Sequence, residues 1–307
     1  RVPYNINNIR AHKILKRIVC DEKYDVIHTH TPIASAIVRL IHKNVKDIKV
    51  FYTAHGFHFF KGAPIKNWLL YYPVERFLAR YTDVLITINK EDYNRAKKFK
   101  AKKVIYVPGV GLDISKFRDV LVDKSQKRKE IGVPDDSFVL LSVGELNKNK
   151  NHEVIIKAVA KLDNPNIYYL ICGEGSLDDY LKQIIIELNI EKQVKLLGFR
   201  NDVNEIYKAA DVFVFPSFRE GLPVSLMEAM ASGLPVICSN IRGNTDLLED
   251  GKGGYLVEPN DVNGFAGRIN YIFNNDTVCK SMNSKNKSKV AEFDIKNVLE
   301  DFKIKVF

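Results

Sequence analysis

The chain has 307 residues, 46% of them hydrophobic and 27% charged, with a formal net charge of +10. This length exceeds what one hydrophobic core usually supports, so two domains are expected. No run of 18 apolar residues is present, which excludes a predicted membrane-spanning helix. No nucleic-acid-binding motif accompanies the positive charge, so nucleic acid is disfavoured as a partner.

The first part of the chain alternates predicted strands and helices. Strands are expected at residues 25–29, 49–53, 83–88 and 103–107. Helices are expected at residues 8–20, 33–43, 65–81 and 90–98. Alternation of this kind predicts a parallel sheet covered by helices.

Residues 114–137 are charged and lack a long apolar periodicity, so they are interpreted as a linker. The alternation then resumes. Strands are expected near residues 138–143, 167–172, 194–198, 211–215, 235–239 and 254–257. Helices are expected near residues 152–161, 176–188, 202–210, 224–232, 243–249, 261–273 and 277–291. Asp294 is the expected N-cap of a last helix at 295–304.

The first predicted strong strand, residues 26–28, comes after a helix instead of opening the domain. A Rossmann-like domain normally begins with a strand, a glycine-bearing turn and a helix. We therefore expect a longer natural N-terminus, by about 60–80 residues, the size of about two βαβ units.

Two glutamates eight positions apart, Glu220 and Glu228, form the most informative pattern. Glu220 follows the short apolar strand at 211–215, and Glu228 lies early on the helix at 224–232. Ligands of open α/β sheets bind outside the carboxyl ends of the strands. The helix start also offers free N–H groups to a phosphate. A carboxylate at such a site is suited to accept hydrogen bonds from hydroxyl groups.

This segment resembles the donor-site signature of the retaining Glu-x7-Glu glycosyltransferases of family 4, and especially the branch that builds bacterial capsule and exopolysaccharide repeat units. Other matching segments are VGELNKNKNH (residues 143–152), YTAHGFH (52–58) and VPGVGLD (107–113). The resemblance runs from about Asp25 to the C-terminus. It implies an α/β protein of GT-B fold, with two facing Rossmann-like domains whose first domain is incomplete.

The resemblance also implies boundaries between domains. It implies an acceptor-side domain over residues 1–117, joined by the C-terminal helix at 295–307. A linker then covers residues 118–137, and a donor-binding domain covers residues 138–294.

Three residues are assigned catalytic roles by the resemblance. Glu220 would hold the transferring sugar near its 3-hydroxyl, and His55 would lie near the reacting sugar. Lys150 would neutralise the diphosphate and the departing nucleoside diphosphate. The family usually has an arginine where this chain has Glu145, and Lys148 or Arg219 is a candidate substitute.

The remaining candidate binding residues surround the expected donor. Glu228 would accept hydrogen bonds from the ribose, and N–H groups around residues 221–225 would bind the diphosphate. The whole candidate set is Glu228, Gly221, Leu222, Pro223, Val224, Lys148, Gly144, Gly173, Phe199 and Arg200.

No cofactor and no metal are expected. The chain has no Asp-x-Asp, which disfavours the metal-dependent single-domain glycosyltransferases. His28, His30, His55 and His58 lie at strand ends, but no cysteine or spaced carboxylate accompanies them, so a metal site is disfavoured. Gly173-Glu-Gly175 is a weak dinucleotide fingerprint, because Asp178 stands where the third glycine should be.

Two basic regions each allow two interpretations. Residues 89–103 carry seven cations against two carboxylates. This segment is either a solvated helix face or a surface that attracts an anionic membrane or a pyrophosphate-linked acceptor. Residues 68–72 and Phe77 are a cluster of apolar and aromatic side chains next to Lys66, Arg76 and Arg80. They belong either to a core helix or to a helix that faces a membrane.

The sequence thus predicts a hexosyltransferase that moves a sugar from a nucleoside diphosphate donor, expected to be UDP-linked, to a glycan acceptor. The acceptor is expected to be lipid-linked, and the enzyme cytoplasmic or peripheral at the inner face of the plasma membrane. A nucleotide-sugar epimerase and a nucleotide-sugar binding module without transfer remain as alternatives.

Overall fold

The computed structural model describes residues 7–45 and 47–306. The described residues up to Val110, together with residues 298–306, form one compact unit. Residues 111–297 form the other. Each unit contains its own parallel sheet, as the alternating pattern predicts.

The first unit begins with α1 (Asn7–Glu22), β1 (Val26–Thr29), α2 (Pro32–His42) and β2 (Lys49–Ala54). It continues with α3 (Ile65–Leu78), a 3-10 turn (Ala79–Tyr81), β3 (Val84–Thr87), α4 (Lys90–Ala96) and β4 (Lys103–Tyr106). The four strands pair in the order β1-β2-β3-β4, all parallel. Every strand and helix predicted for this part of the chain is confirmed to within a few residues.

The second unit opens with two short helices, α5 (Ser115–Arg118) and α6 (Lys124–Glu130). There follow β5 (Phe138–Val143), α7 (His152–Leu162), β6 (Ile167–Cys172), α8 (Asp178–Glu187), β7 (Val194–Gly198) and α9 (Val203–Ala209). The next elements are β8 (Val212–Phe215), α10 (Val224–Ser232), β9 (Val236–Ser239), α11 (Asn244–Leu247) and β10 (Gly254–Val257). The chain continues through α12 (Val262–Phe273), α13 (Asp276–Val290) and a 3-10 turn (Ala291–Phe293) to α14 (Ile295–Val306).

The second sheet has the strand order β10-β9-β8-β5-β6-β7, all parallel. This is the doubly wound order 3-2-1-4-5-6, read from the other edge. The order reverses between β5 and β8, which are hydrogen-bonded neighbours. The carboxyl ends of these two strands therefore form the topological switch point, where open α/β sheets bind their ligands.

The segment interpreted as a linker contains α5 and α6, and α6 is held by buried cations. Lys127 forms ion pairs with Glu130, Asp202 and Glu205. Arg128 is buried and pairs with Asp211 at 2.6 Å. Because charged groups instead of apolar ones fix this helix, a search for apolar periodicity misses it.

Helix α14 begins in the second unit and ends in the first. Asp294 caps it by accepting a hydrogen bond from the Lys296 N–H at 2.9 Å, as the sequence predicts. Val298 and Val306 pack in the same core cluster as Phe51 and Ile86. The sheet of the first unit thus buries part of one face against the end of the chain.

Candidate active site

The loops after β5 and β8 lie next to each other at the switch point of the second sheet. The Phe218 N–H donates to the Asn149 carbonyl oxygen at 2.8 Å. The Asn149 side-chain amide donates to the Arg219 carbonyl at 2.9 Å. These bonds fix the β8–α10 loop against the β5–α7 loop, and so fix the backbone on either side of Glu220.

Lys150 and Glu220 meet across these two loops. The Lys150 Nζ lies 2.9 Å from Glu220 Oε1, and both side chains are mostly buried. The ammonium also lies 4.6 Å from the centre of the Phe215 ring. A carboxylate and an aromatic face both stabilise a cation. Two residues predicted from separate motifs are therefore one ion pair.

Asn151 connects the site to a third segment. Its side-chain amide donates to the Pro259 carbonyl at 2.7 Å and to the Pro216 carbonyl at 3.3 Å. Its backbone is left-handed, with φ at 55°. Asparagine tolerates this region better than most residues do. This residue was missed, because the signal is a backbone conformation and not a chemical group.

A third loop reaches Glu220 through Arg242, which sequence reasoning also missed. Arg242 follows β9 and is buried. Its Nε donates to the Glu220 carbonyl oxygen at 3.2 Å. The only advance signal is its place just after a predicted strand, at the edge where ligands bind.

Glu228 lies on the first turns of α10 beside a buried tyrosine. The Tyr207 hydroxyl lies 3.1 Å from Glu228 Oε2 and 3.0 Å from the Ser225 carbonyl, and it donates to one or the other. Burial raises the pKa of Glu228, and the Tyr207 hydrogen bond offsets part of that rise. Burial also holds the pKa of Tyr207 well above its usual value, so this phenol stays a donor.

Glu228 borders a cavity of about 430 Å³ within the second unit. Polar groups that line it include Ser115, Asn201 and Asn204, and Phe117 contributes an apolar wall. Such a mixture suits a nucleoside, with hydroxyl groups at one end and a flat base at the other. Asn201 was missed although it follows β7, and Ser115 and Phe117 lie in the segment interpreted as a linker.

The predicted loop between Glu220 and α10 has the expected form. Gly221, Leu222 and Pro223 connect them, with the side chains of Leu222 and Pro223 buried, and Val224 is the first helical residue. No side chain of the described residues caps this helix. Its first N–H groups are therefore available to a phosphate.

Gly144 and Gly173 directly follow β5 and β6, and they lie beside Lys150. A Cβ on Gly144 would lie 3.1 Å from Cε of Lys150, so the missing side chain lets the lysine lie flat over the strand end. Gly173 has φ at 147°, and a Cβ there would overlap the Gly144 carbonyl oxygen. Both glycines thus support Lys150 by allowing close backbone approach.

Three predicted residues form no hydrogen bond or ion pair with Lys150 or Glu220 among the described residues. Lys148 is exposed and borders another cavity, of about 650 Å³. Phe199 is exposed beyond the end of β7. Arg200 is held by Asp202 at 2.8 Å and Glu130 at 2.6 Å, and these carboxylates raise its pKa. Arg200 would have to exchange one of these partners to reach a ligand.

Glu145, which stands where the family usually has an arginine, is exposed and forms no ion pair with the described residues. The candidate substitute Arg219 is also exposed. Lys150 is therefore the one cation that the structure pairs with Glu220 in residues 7–45 and 47–306.

His55 lies in the first unit, directly after β2. Its Nε2 lies 3.1 Å from Nδ1 of His30, which follows the neighbouring strand β1. Burial lowers the pKa of His55, and the charge of His30 lowers it further. A neutral imidazole has one donor and one acceptor nitrogen, and with Nε2 engaged by His30 the Nδ1 atom is the one left for a sugar hydroxyl. Among the described residues no three His, Cys, Asp or Glu side chains are grouped as metal ligands.

Comparison with protein families gives two matches. The profile described as "Glycosyl transferases group 1" matches residues 123–289. The profile described as "Glycosyltransferase Family 4" matches residues 2–114. Across residues 7–45 and 47–306, no helix is both long and apolar enough to cross a bilayer.

Two relatives align with most of the chain. EpsD of Bacillus subtilis (strain 168), which is named as a glycosyltransferase, is 36% identical over 98% of this chain and 81% of its own length. The UDP-Gal:alpha-D-GlcNAc-diphosphoundecaprenol alpha-1,3-galactosyltransferase of Escherichia coli is 33% identical over 92% of this chain and 74% of its own.

A solved structure shares the fold. The crystal structure of Anabaena Alr3699/HepE in complex with UDP has a TM-score of 0.84 and 22% sequence identity, and it covers 96% of this chain and 81% of its own. The predicted GT-B fold is confirmed. The chain belongs to the group 1 glycosyl transferases, and it is a glycosyltransferase.

Proposed function

We propose that this enzyme transfers a sugar from a nucleoside diphosphate donor, UDP-linked, to a hydroxyl group of a lipid-linked glycan in surface polysaccharide synthesis, with retention at the anomeric carbon. The observation that carries the donor assignment is the Lys150–Glu220 pair at the switch point of the second sheet. Retention is proposed from the family resemblance.

In the proposed reaction the bond between the anomeric carbon and the diphosphate oxygen breaks. The acceptor oxygen forms the new glycosidic bond and passes its proton to the departing diphosphate, which leaves with the electron pair of the broken bond. Negative charge therefore grows on the diphosphate. Lys150 and the N–H groups at the start of α10 are the charges and dipoles that would stabilise it.

Glu220 is proposed to have two roles, one in the free enzyme and one with the donor bound. In the free enzyme its carboxylate holds Lys150 at 2.9 Å. When a donor is bound, the diphosphate competes for the ammonium, and the released carboxylate oxygens can accept hydrogen bonds from the sugar hydroxyls. The pair thus keeps Lys150 extended before the donor arrives.

Glu228 is proposed to bind the ribose. The carboxylate borders the cavity, one of its oxygens lies near Tyr207, and no other hydrogen bond reaches it from the described residues. A half-buried carboxylate of this kind gains from two neighbouring hydroxyl donors. His55 is proposed as a sugar contact on the family resemblance and on its place at the end of β2.

The names of the relatives support the choice of substrates. The Escherichia coli relative is named for a UDP-galactose donor and a diphosphoundecaprenol-linked acceptor. A Campylobacter jejuni relative, 34% identical over 57% of this chain, is likewise named for a diphospho-undecaprenol acceptor. A cytoplasmic enzyme working at the inner face of the plasma membrane fits such acceptors.

The test is a turnover assay of the full-length protein with a panel of nucleotide sugars and a lipid-diphosphate-linked glycan. Mass spectrometry should show an acceptor heavier by one sugar, together with free nucleoside diphosphate. An isomerised donor without acceptor product would identify an epimerase. Nucleotide binding without any turnover would identify a binding module, and both results would refute the proposal.

A further inference from the structure

The second unit has a further cavity, of about 650 Å³, outside the candidate active site. Its walls come from the loop after β5, the start of α7, helix α8, the loop after β8 and the segment that leads into α12. Among the described residues it shares no wall residue with the cavity that Glu228 borders, and neither Lys150 nor Glu220 lines it. This space, here called the α7 cavity, lies within the size range of small-molecule sites, roughly 300–1,000 Å³.

Hydrogen bonds between loops hold the walls of the α7 cavity in place. The Asn151 amide donates to the Pro259 carbonyl at 2.7 Å, directly before Asn260, which lines the cavity. The backbone of Phe218, another wall residue, donates to the Asn149 carbonyl at 2.8 Å. Because these loops are already fixed, a ligand would lose little free energy in ordering them.

One wall of the α7 cavity is a polar cluster on α7 and α8. Glu153 forms an ion pair with Lys157 at 2.5 Å and accepts a hydrogen bond from the Tyr180 hydroxyl at 3.0 Å. The hydrogen bond from Lys157 is the main cause that lowers the pKa of Glu153, so this carboxylate stays charged. Each carboxylate oxygen has two lone pairs, and the tyrosine oxygen can still accept. The cluster therefore offers acceptors and ammonium donors at fixed positions.

The loop side of the α7 cavity offers further donors. Asn147 Oδ1 accepts from the Lys150 N–H at 3.0 Å, which leaves the Asn147 NH2 group without a hydrogen bond among the described residues. The side chains of Lys148 and Asn260 form no hydrogen bond or ion pair with residues 7–45 and 47–306. A ligand with many hydroxyl groups could use all of these donors and the acceptors of the polar cluster together.

Two aromatic side chains of the α7 cavity are partly exposed. Phe218 is 38% exposed and Tyr180 is 45% exposed, and neither ring stacks on another ring in the part of the chain that the structure describes. The face of an aromatic ring is its negative side. The C–H groups on one face of a sugar ring carry partial positive charge, so the two surfaces attract each other. Leu177 and Val262 add apolar contacts.

We propose that the α7 cavity binds a neutral mono- or disaccharide. The C–H face of a sugar would pack on Phe218 and Tyr180, and its hydroxyl groups would bond to Glu153, Asn147 and Asn260. A phosphate group would bring a second negative charge beside Glu153, which is unfavourable. A purely apolar ligand would bury the amide and charged groups without hydrogen bonds.

The proposed saccharide site goes beyond the proposed function, because the transfer reaction uses no residue of the polar cluster. The site is nevertheless next to the donor loops. Phe218 lies two residues before Glu220, and Lys148 lies two residues before Lys150. A saccharide in the α7 cavity would therefore contact the same two loops that carry the ion pair.

The experiment is saturation-transfer NMR of the full-length protein with maltose, lactose and chitobiose as probes. UDP is present at saturation, so that the nucleotide site is occupied. We expect saturation transfer to at least one of these disaccharides. Tyr180→Ala and Glu153→Gln should each weaken its binding about tenfold, because the first loses a stacking surface and the second a charged acceptor.

Matched variants away from the α7 cavity provide the controls. Tyr24 is 47% exposed in the first unit, so Tyr24→Ala removes a similar ring. Glu191 is an exposed glutamate of the second unit, so Glu191→Gln removes the same charge. Both controls should bind the disaccharide as the wild type does. Calorimetry should give the same UDP affinity for Tyr180→Ala as for the wild type, which also shows that this variant is folded.

Two results would overturn the proposal. The first is the absence of saturation transfer to all three disaccharides. The second is wild-type affinity in Tyr180→Ala, and loss of the signal in Glu220→Gln would then show that the sugar occupies the donor site. Because no donor sugar or lipid-linked acceptor is present, neither result bears on the proposed transfer reaction.

Discussion

The ammonium of Lys150 and the carboxylate of Glu220 form a 2.9 Å ion pair between the loops that follow β5 and β8. These are the two strands between which the sheet order reverses. Each partner limits what the other can do in the free enzyme, because a phosphate has to compete with Glu220 for Lys150. The pair therefore predicts different effects on UDP binding from its two members.

Lys150→Met should weaken UDP binding about 10- to 100-fold, because the diphosphate loses a charge-assisted hydrogen bond. Glu220→Gln should leave UDP binding unchanged or strengthen it, because Lys150 is released. The same Glu220→Gln change should lower kcat about 100-fold if it removes contacts to the reacting sugar. Calorimetry and steady-state kinetics separate the two effects. Parallel losses of UDP affinity in both variants would contradict this assignment.

Glu228→Ala should weaken UDP binding by about 1.5–3 kcal/mol, because the ribose hydroxyls lose a charged acceptor. Calorimetry with UDP measures it. Glu249→Ala is the control, since Glu249 is an exposed glutamate of the same unit. Equal affinities for wild type and Glu228→Ala would remove Glu228 from the site.

Transfer activity should persist in excess chelator, within a factor of about two, because Lys150 and helix N–H groups would take the place of a cation. The assay is repeated with added manganese or magnesium. Activity that is abolished by chelator and restored by either metal would show that the diphosphate needs an ion here.

Asn151→Ala should lower the free energy of unfolding by about 2 kcal/mol, through left-handed strain and lost hydrogen bonds. Asn151→Gly removes the strain and should cost about 1 kcal/mol. Asn189 is the matched control, because its φ is 56° but no side-chain hydrogen bond to the described residues holds it. Urea unfolding of Asn151→Gly and Asn189→Gly then isolates the two bonds, and equal costs would show that they contribute nothing.

Stability should fall as the pH is lowered from 6.5 towards 4, partly through His152. Burial, together with a smaller effect of the Lys150 charge, lowers the pKa of His152 to about 4. The unfolded chain binds a proton near pH 6.5 while the folded chain stays neutral, so acid favours unfolding in this window. The loss is about 1.6 kcal/mol between pH 6.5 and 5.

His152→Asn should flatten this pH dependence, measured by urea unfolding at several pH values. Part of the slope will remain, because burial also lowers the pKa of His28 to about 4. An unchanged slope in His152→Asn would show that His152 does not carry the effect.

The strands and most helices were predictable because apolar runs and turn residues are local signals. The strand at Val212–Phe215 and the helix at Val224–Ser232 follow from such patterns, and they place Glu220 and Glu228. Helix α6 was not predictable in this way, because its buried Lys127 and Arg128 are stabilised by carboxylates far along the chain. Pairing with Asp202 and Asp211 exists only after folding.

The residues of the candidate site also divide into those that local patterns predict and those whose contacts form only on folding. Lys150 and Glu220 come from separate motifs, and only the strand order reveals that they touch. Tyr207 and Arg242 carry no motif of their own, since each contributes through a partner that is distant in sequence. The roles proposed for the predicted residues remain predictions until the variants above are measured.

Helix α14 completes the core of the first unit, although it is the last helix of the chain to be synthesised. Val298 and Val306 belong to the same core cluster as Phe51, Val84 and Ile105. A ribosome completes the sheet of the first unit long before it adds these residues. The first unit therefore emerges first but can close its core only after the second unit has been synthesised, and during that interval an apolar side of its sheet is open to chaperones.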